Sequence, residues 1–344
     1  MPPQRRARQE GRGSGKLEAM IPRHPASGRL VPVRRVRRAG ALLLASALIA
    51  ALVRPGLGAP AAGDSAASPA SPTPAPAAGV PAFEHVIVVV MENKDFDQAR
   101  NPKSCPYTAD LMRAGAWFSD YHAITHPSQP NYLALWAGNT LGVGDNSCPP
   151  HGAPFAAENL GHALEATGKT WRAYSEDLPG AGSAVCKARG KLYTRKHEPW
   201  THFKNLDHSN ERPYSDLAKD IAEHRLPDLA FVVPNNCHNT HDCSISTGDA
   251  WLAEELPAMI TGVGRNGLVV LTWDEDDDTS DNHILTVFAG LMLRPATVST
   301  RHVTHYTMLR TLCDGLGLVP FGNATQERPI TDVWYRAATP ADPK

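Results

Sequence analysis

An α/β fold, with a mostly parallel central sheet and helices on both faces, is what this chain of 344 residues predicts. Two observations carry that expectation. Short apolar runs rich in β-branched residues recur along the chain, the pattern of strands buried on both faces. Between them lie segments whose apolar residues follow helical spacing, and such alternation builds parallel sheets flanked by helices.

Taken in order, "HVIVVVM" (85–91) is a buried strand, and "TADLMRAGAWF" (108–118) follows at helical spacing. "YLALWAGN" (132–139) reads as a helix beginning just after a proline-framed serine. "NLGHALEATG" (159–168) is an amphipathic helix stopped by Gly168, a residue that tolerates the left-handed conformation at a helix end. "TWRAYSED" (170–177), "LAFVVP" (229–234), "GLVVLTWDE" (267–275) and "ILTVFAG" (284–290) are the further strands. "GDAWLAEELPAMI" (248–260) and "HYTMLRTLCDGLG" (305–317) are the further helices.

Composition bounds the class. Hydrophobic residues make up 42%, enough for a large core. The 34 basic and 35 acidic side chains leave a net charge of −1, which argues against a nucleic-acid partner. Arginine is concentrated before residue 39, and "AGALLLASALIAALV" (39–53) follows. That run is shorter than the roughly 20 residues of a membrane span. Basic flank, apolar run and small residues read as a signal peptide within 1–58, with Met20 an alternative start and an uncleaved anchor the alternative reading. Export, with no stable membrane span after cleavage, is the expected localisation. Residues 59–82, rich in Pro, Ala and Ser, cannot bury enough surface to offset ordering and form a linker. A catalytic domain over 83–338 and a tail of 339–344 complete the division. Six cysteines suit an exported, disulfide-bonded protein. Cys237 and Cys243 would close a tight loop, and no C-x-x-C pair supports a zinc site.

In open α/β sheets, ligands gather where strands end. "HVIVVVM" runs straight into Glu92 and Asn93, and "GLVVLTW" into Asp274 and Glu275. A carboxylate at the end of a buried strand is costly without a partner. Two such ends supplying oxygen ligands suit one hard divalent cation. "LAFVVP" leads into a loop carrying His238, His241 and Asp242, suited to metal or phosphate contact. Ser128 lies between Pro127 and Pro130, ahead of a helix whose N-terminus favours an anion. A metal near that hydroxyl would make it a nucleophile. No G-x-S-x-G elbow, phosphate-cradling glycine loop or dinucleotide fingerprint competes with this reading.

"VIVVVMENKDFD", "ITHPSQPNYLAL", "VPNNCHNTHDCSISTGDAWL" and "LTWDEDD" resemble, in order, the signatures of the phosphoesterase family of secreted acid phosphatases and phospholipases C, a branch of the alkaline-phosphatase-like superfamily. The resemblance covers about 83–318. It implies an alkaline-phosphatase-like fold and a phosphate-ester substrate. It also implies a phosphoserine at Ser128, and one divalent metal at Glu92, Asn93, Asp274 and Glu275. His241 matches a phosphate-contacting histidine, His126 and Asn131 line the pocket, and His305 matches a histidine near the last helix. Asn239 stands where relatives carry an acid, which argues against a second metal. Cys148 and Cys186 resemble a family pair. Cys105 and Cys313 look additional, and the resemblance leaves them to each other. An acid-phosphatase-like monoesterase is the expectation, with a phospholipase C-type diesterase and a non-catalytic phosphate- or metal-binding protein as the alternatives.

Overall fold

A computed structural model describes residues 79–335; the expected signal peptide, the expected linker up to residue 78 and the tail lie outside them, whereas 79–82, expected as linker, belong to the folded part, with Val80 buried in the core. Among the described residues no helix is long and apolar enough to cross a membrane.

Eight strands form one sheet. In chain order they are β1 (His85–Met91), β2 (Ala116–Phe118), β3 (Trp171–Ser175) and β4 (Glu211–Pro213), then β5 (Leu229–Val233), β6 (Gly267–Trp273), β7 (Thr286–Ala289) and β8 (Thr297–Ser299). Their order across the sheet is β8-β2-β7-β6-β1-β5-β3-β4. All neighbours pair in parallel except β7, which runs antiparallel to both β6 and β2. The apolar runs occupy the middle. β5 and β6 are buried throughout, and β1 is buried after His85, as expected of strands covered on both faces.

Among the described residues seven α-helices flank the sheet: α1 (Phe96–Ala99), α2 (Pro106–Ala114), α3 (Ser128–Ala137), α4 (Leu160–Ala166), α5 (Ser215–Ala222), α6 (Ile245–Gly262) and α7 (His305–Leu316). α2 and α5 pack on α6, whereas α3 packs on α7. Every residue of α3 is buried, and Trp136 joins Trp171, Trp200 and Phe231 in an aromatic cluster with ring centroids 5.1–5.5 Å from Trp136. The helix stops at Gly138, left-handed at φ 65°, where a Cβ would meet the Phe321 carbonyl oxygen at 2.8 Å.

Two expectations on segment boundaries need revision. "AWF" is not the end of a helix: Gly115 stops α2, and Ala116–Phe118 turn into β2 between β7 and β8. The helix after the proline-framed serine begins at Ser128 itself, because Pro130 falls in the first turn, where no helical hydrogen bond requires its missing N–H. The edge strands β4 and β8, and helix α5, are too short or too exposed for their apolar spacing to have announced them.

Cys148–Cys186 and Cys237–Cys243 are disulfides. The expected Cys105–Cys313 bridge is absent; both are free and buried. Cys105 caps the start of α2, in the layer with α6, whereas Cys313 lies inside α7, in the layer with α3. No short link can join the two layers. Burial pushes the Cys105 thiol up to about 11 and Cys313 higher still, so neither offers a reactive thiolate. Alkylation of the unreduced, denatured protein should therefore modify both thiols, while the folded protein resists the reagent. Mass spectrometry that finds neither thiol modified after denaturation would restore the bridge.

Candidate functional site

β1 and β6 are neighbours in the sheet, with Met91 opposite Trp273. One residue further along, that register sets Glu92 beside Asp274, and the Asp274 N–H donates to the Met91 carbonyl at 3.0 Å. Glu92, Asp274 and Glu275 are all buried. Asn93, at φ 25°, turns the chain out of β1 and donates from Nδ2 to Glu275 Oε1 at 2.9 Å.

Ser128 opens α3 against this group. Its Oγ donates to Glu275 Oε1 at 2.7 Å, lies 3.2 Å from Glu92 Oε2, and accepts from Lys196 Nζ at 2.9 Å. Lys196 Nζ is also 3.5 Å from Glu92 Oε2. His197 Nε2 approaches Glu92 Oε1 to 2.7 Å, but neither atom has a hydrogen bond of good geometry. Lys196 and His197 escaped the sequence reading. They sit on a tight turn (Arg195–His197) after a two-stranded ribbon of Lys187–Ala188 and Tyr193–Thr194, tied down by the Cys148–Cys186 bridge. The only signal for them was a Lys-His pair shortly after a cysteine.

Electrostatics divides the carboxylates. Burial alone would raise Glu92, but His197 and Lys196 outweigh it and hold the carboxyl below its usual range. Burial pushes the His197 imidazole down to about 4. For this pair the direction that stands is that of Glu92, ionised between His197 Nε2 at 2.7 Å and the Lys196 ammonium at 3.5 Å. Asp274 is driven well above its usual range by burial and then by Glu92 and Glu275; burial raises Glu275 too, with Glu92 adding to it.

Three buried carboxylate and amide oxygens here, Glu92 Oε1, Asn93 Oδ1 and Asp274 Oδ2, have no hydrogen-bond partner among the described residues, and neither do the Tyr132 hydroxyl and His197 Nε2 beside Glu92. Buried acceptors left in that state are costly. All three come from the expected ligand set, and a hard cation would satisfy them. Glu275 differs: Oε1 receives Ser128 and Asn93, and Oε2 lies 2.7 Å from His126 Nδ1.

The remaining expected residues fall at different depths. His241 lines a cleft of about 360 Å³ together with Lys187, Lys191, Lys196, Asn146 and Asp242. Its Nδ1 is 2.6 Å from Asp242 Oδ1, and its loop is closed by Cys237–Cys243. His126 touches Glu275 and, through Nε2, the Thr279 carbonyl at 3.0 Å. Burial alone would lower it, but the Thr279 carbonyl and Glu275 raise it. His238 is turned away onto Glu176 at 2.7 Å.

Asn131 differs from its expected place, and His305, which opens α7 as expected, lies behind the site. Asn131 does not face the pocket: Oδ1 accepts from the Ile124 and Thr125 N–H groups at 2.9 and 3.1 Å, and Nδ2 donates to the Thr125 carbonyl at 2.7 Å. Its amide thereby shapes the loop that delivers Ser128. His305 is wholly buried between the Tyr121 hydroxyl at 3.0 Å and the Asp274 carbonyl at 2.7 Å, with burial pushing it down to about 4. It positions Asp274 from behind. The anion-binding N-terminus of α3 is also partly occupied, since the Gln129 N–H donates to Asn146 Oδ1 at 3.0 Å.

Known proteins resemble this chain in fold or in sequence. The fold is similar to a protein of the alkaline phosphatase superfamily from Vibrio parahaemolyticus, with a TM-score of 0.55 at 12% identity over 75% of this chain and 72% of that one. It is similar also to a lipoteichoic acid synthase from Listeria monocytogenes, with a TM-score of 0.53 at 10% identity over 74% and 77%. Those likenesses are of fold. In sequence, a phosphatidylinositol-3-phosphatase of Mycobacterium tuberculosis is 42% identical over 88% of this chain and 96% of that protein. A phosphate-repressible acid phosphatase of Penicillium chrysogenum is 27% identical over 70% of this chain, which spans 61% of the fungal protein. The profile of the phosphoesterase family matches residues 100–315. With that match and the Mycobacterium relative, the chain belongs to the phosphoesterase family.

Proposed function

We propose that the protein hydrolyses phosphoric monoesters through a phosphoryl group carried on Ser128, beside one hard divalent cation held by Glu92, Asn93 and Asp274, with Glu275, whose oxygens are already partnered, as the base instead of the expected fourth ligand. The observation that carries this reading is the setting of Ser128 Oγ, buried between a carboxylate at 2.7 Å and an ammonium at 2.9 Å. A serine that only capped a helix would need neither. When bound, the cation would supply Lewis-acid stabilisation of negative charge at the serine and the phosphoryl oxygens.

The chain's own residues supply the rest. Glu275 Oε1 is placed to take the Ser128 proton, and Lys196 stabilises the charge left on Oγ. Ser128 attacks phosphorus, and the ester oxygen takes a proton from solvent as its bond to phosphorus breaks and the alcohol leaves. Water then cleaves the phosphoserine and releases phosphate. His241, held by Asp242 on the cleft wall, is positioned to donate to phosphoryl oxygens.

The names of the relatives suggest two substrate classes, simple monoesters and a phosphoinositide. Lys187 and Lys191 on the cleft rim favour a substrate bearing a further phosphate. Rates on p-nitrophenyl phosphate, on phosphatidylinositol 3-phosphate and on p-nitrophenyl phosphocholine separate simple monoesterase, phosphoinositide phosphatase and phospholipase C-type activity. Absence of turnover on all three would favour the non-catalytic alternative. Export of the protein remains part of this proposal.

Ser128→Ala should abolish turnover without unfolding the protein, and acid-quenched wild type should yield a phosphorylated peptide containing residue 128. Substantial activity in Ser128→Ala would mean that water attacks directly. Lys196→Met should lower kcat by about 100-fold or more, the usual scale for losing a charge-stabilising donor, with a smaller change in KM. Chelation should remove activity, and Asp274→Asn should lower metal content and rate together; a fully active, metal-free preparation would refute the cation. Cys237→Ser should depress the rate more than Tm. The Cys237–Cys243 loop is so short that its closure contributes only about 2 kcal/mol, whereas a shift of about 1 Å at His241 can cost about a hundredfold in rate.

A further inference from the structure

A cluster of two imidazoles and a carboxylate lies outside the Ser128 group. Tyr121–His122 pairs in parallel with Val303–Thr304, and this short ribbon brings Asp120, His122 and His302 together. One ligand atom from each lies within 4.8 Å of the others. Asp120 Oδ1 is 2.8 Å from His122 Nε2 and 3.4 Å from His302 Nδ1.

The second nitrogen of His122 restricts what can occupy that space. Nδ1 lies 2.7 Å from the carbonyl oxygen of Asp281. A carbonyl only accepts, so Nδ1 carries the hydrogen, and in the neutral ring Nε2 presents a lone pair. That lone pair faces a carboxylate oxygen at 2.8 Å, so a cation must lie between the two acceptors, either a proton or a metal ion. A backbone carbonyl on the far nitrogen is how proteins orient metal-ligating histidines. The two separations from Asp120 suit an ion as well. Tetrahedral zinc with bonds of about 2.0–2.1 Å places its ligand atoms about 3.3 Å apart. His302 already stands at that spacing from Asp120, and His122 needs to open by about half an ångström to reach it. His283 stacks on His122 at 4.9 Å and Phe96 on His283 at 4.1 Å, which walls one side of the cluster.

We propose that Asp120, His122 and His302 bind one zinc-class divalent ion, with the fourth position open to water. Two imidazoles and a carboxylate select borderline transition ions, unlike the all-oxygen set around Ser128, which suits a hard ion. The proposed ion would tie together three stretches that run into the candidate active site. Residues 120–122 continue to the Ser128 loop. Asp281 adjoins Asn282, whose Nδ2 donates to the Thr125 carbonyl at 2.9 Å, and His302 precedes His305, the support of Asp274. The site stands on its own ligands and does not depend on the proposed reaction.

The test uses the full chain, stripped with chelator and then held in excess Mg²⁺. Zinc is titrated calorimetrically into wild type, His302→Ala, Asp120→Asn and Asp274→Asn, and Co²⁺ replaces zinc for visible spectra. His302 is exposed on the surface, so its truncation leaves packing intact. Wild type and Asp274→Asn should both show the strong visible bands of four-coordinate Co²⁺ and a zinc-dependent rise in Tm. His302→Ala and Asp120→Asn should lose both and bind one zinc fewer, or bind it more weakly by more than about tenfold, since even outer partners of a ligand cost that much. If His302→Ala matches wild type in zinc stoichiometry, affinity and Tm shift, or if wild type takes up no zinc there, a proton bridges His122 and Asp120 and the metal site is excluded.

Discussion

Burial of Glu92, Asp274 and Glu275 at the ends of two adjacent strands is the constraint around which the rest of this molecule is arranged. Ionised carboxylates out of water are stable only when paired or bound to a cation. Their closeness follows from strand order. β1 and β6 run side by side in the same direction, so the residues that leave their C-terminal ends emerge together. β5 completes the group from the other side of β1 by delivering the His241 loop. The crevice therefore lies where open α/β sheets collect ligands, with no need for a special motif.

The charge balance explains why so much of the surrounding chain is fixed. Lys196 reaches both Ser128 Oγ and Glu92, and the ribbon behind it is held by Cys148–Cys186. Asn131 ties down the loop before Ser128, and Thr240 Oγ1 donates to the Glu92 carbonyl at 2.7 Å. Behind the strands, Tyr121, His305 and the Asp274 carbonyl form a buried relay. These groups have few alternative partners, so the site is preorganised by hydrogen bonds that are themselves inaccessible to water. Glu92 Oε1, Asn93 Oδ1 and Asp274 Oδ2 stay without hydrogen-bond partners among the described residues, all three just beyond the ends of β1 and β6.

Much of the fold was legible because its middle strands are apolar throughout. "HVIVVVM", "LAFVVP" and "GLVVLTW" could only be buried on both faces, and the helical spacing between them required crossovers. β2, β4 and β8, each only three residues long, carried no periodicity to read. "AWF" was absorbed into the preceding helix for that reason. The antiparallel direction of β7 was equally hidden, since an apolar run has no polarity of direction.

The candidate site divides in the same way. Sequence by itself determined which carboxylates sit at strand ends and which serine lies next to a helix start, because both are local consequences of a buried run meeting polar residues. It also identified Cys237–Cys243, whose loop leaves its two thiols little choice of partner. Only the tertiary structure decided that Lys196 is the charge beside Ser128, since they are far apart in sequence and meet through the packing of a tight turn against α3. It likewise separated Cys105 from Cys313, assigned Asn131 and His305 to positioning, and brought His302 to Asp120 and His122. Each of these depends on which layer or neighbouring strand a side chain meets, and residue spacing along a chain carries no record of that choice.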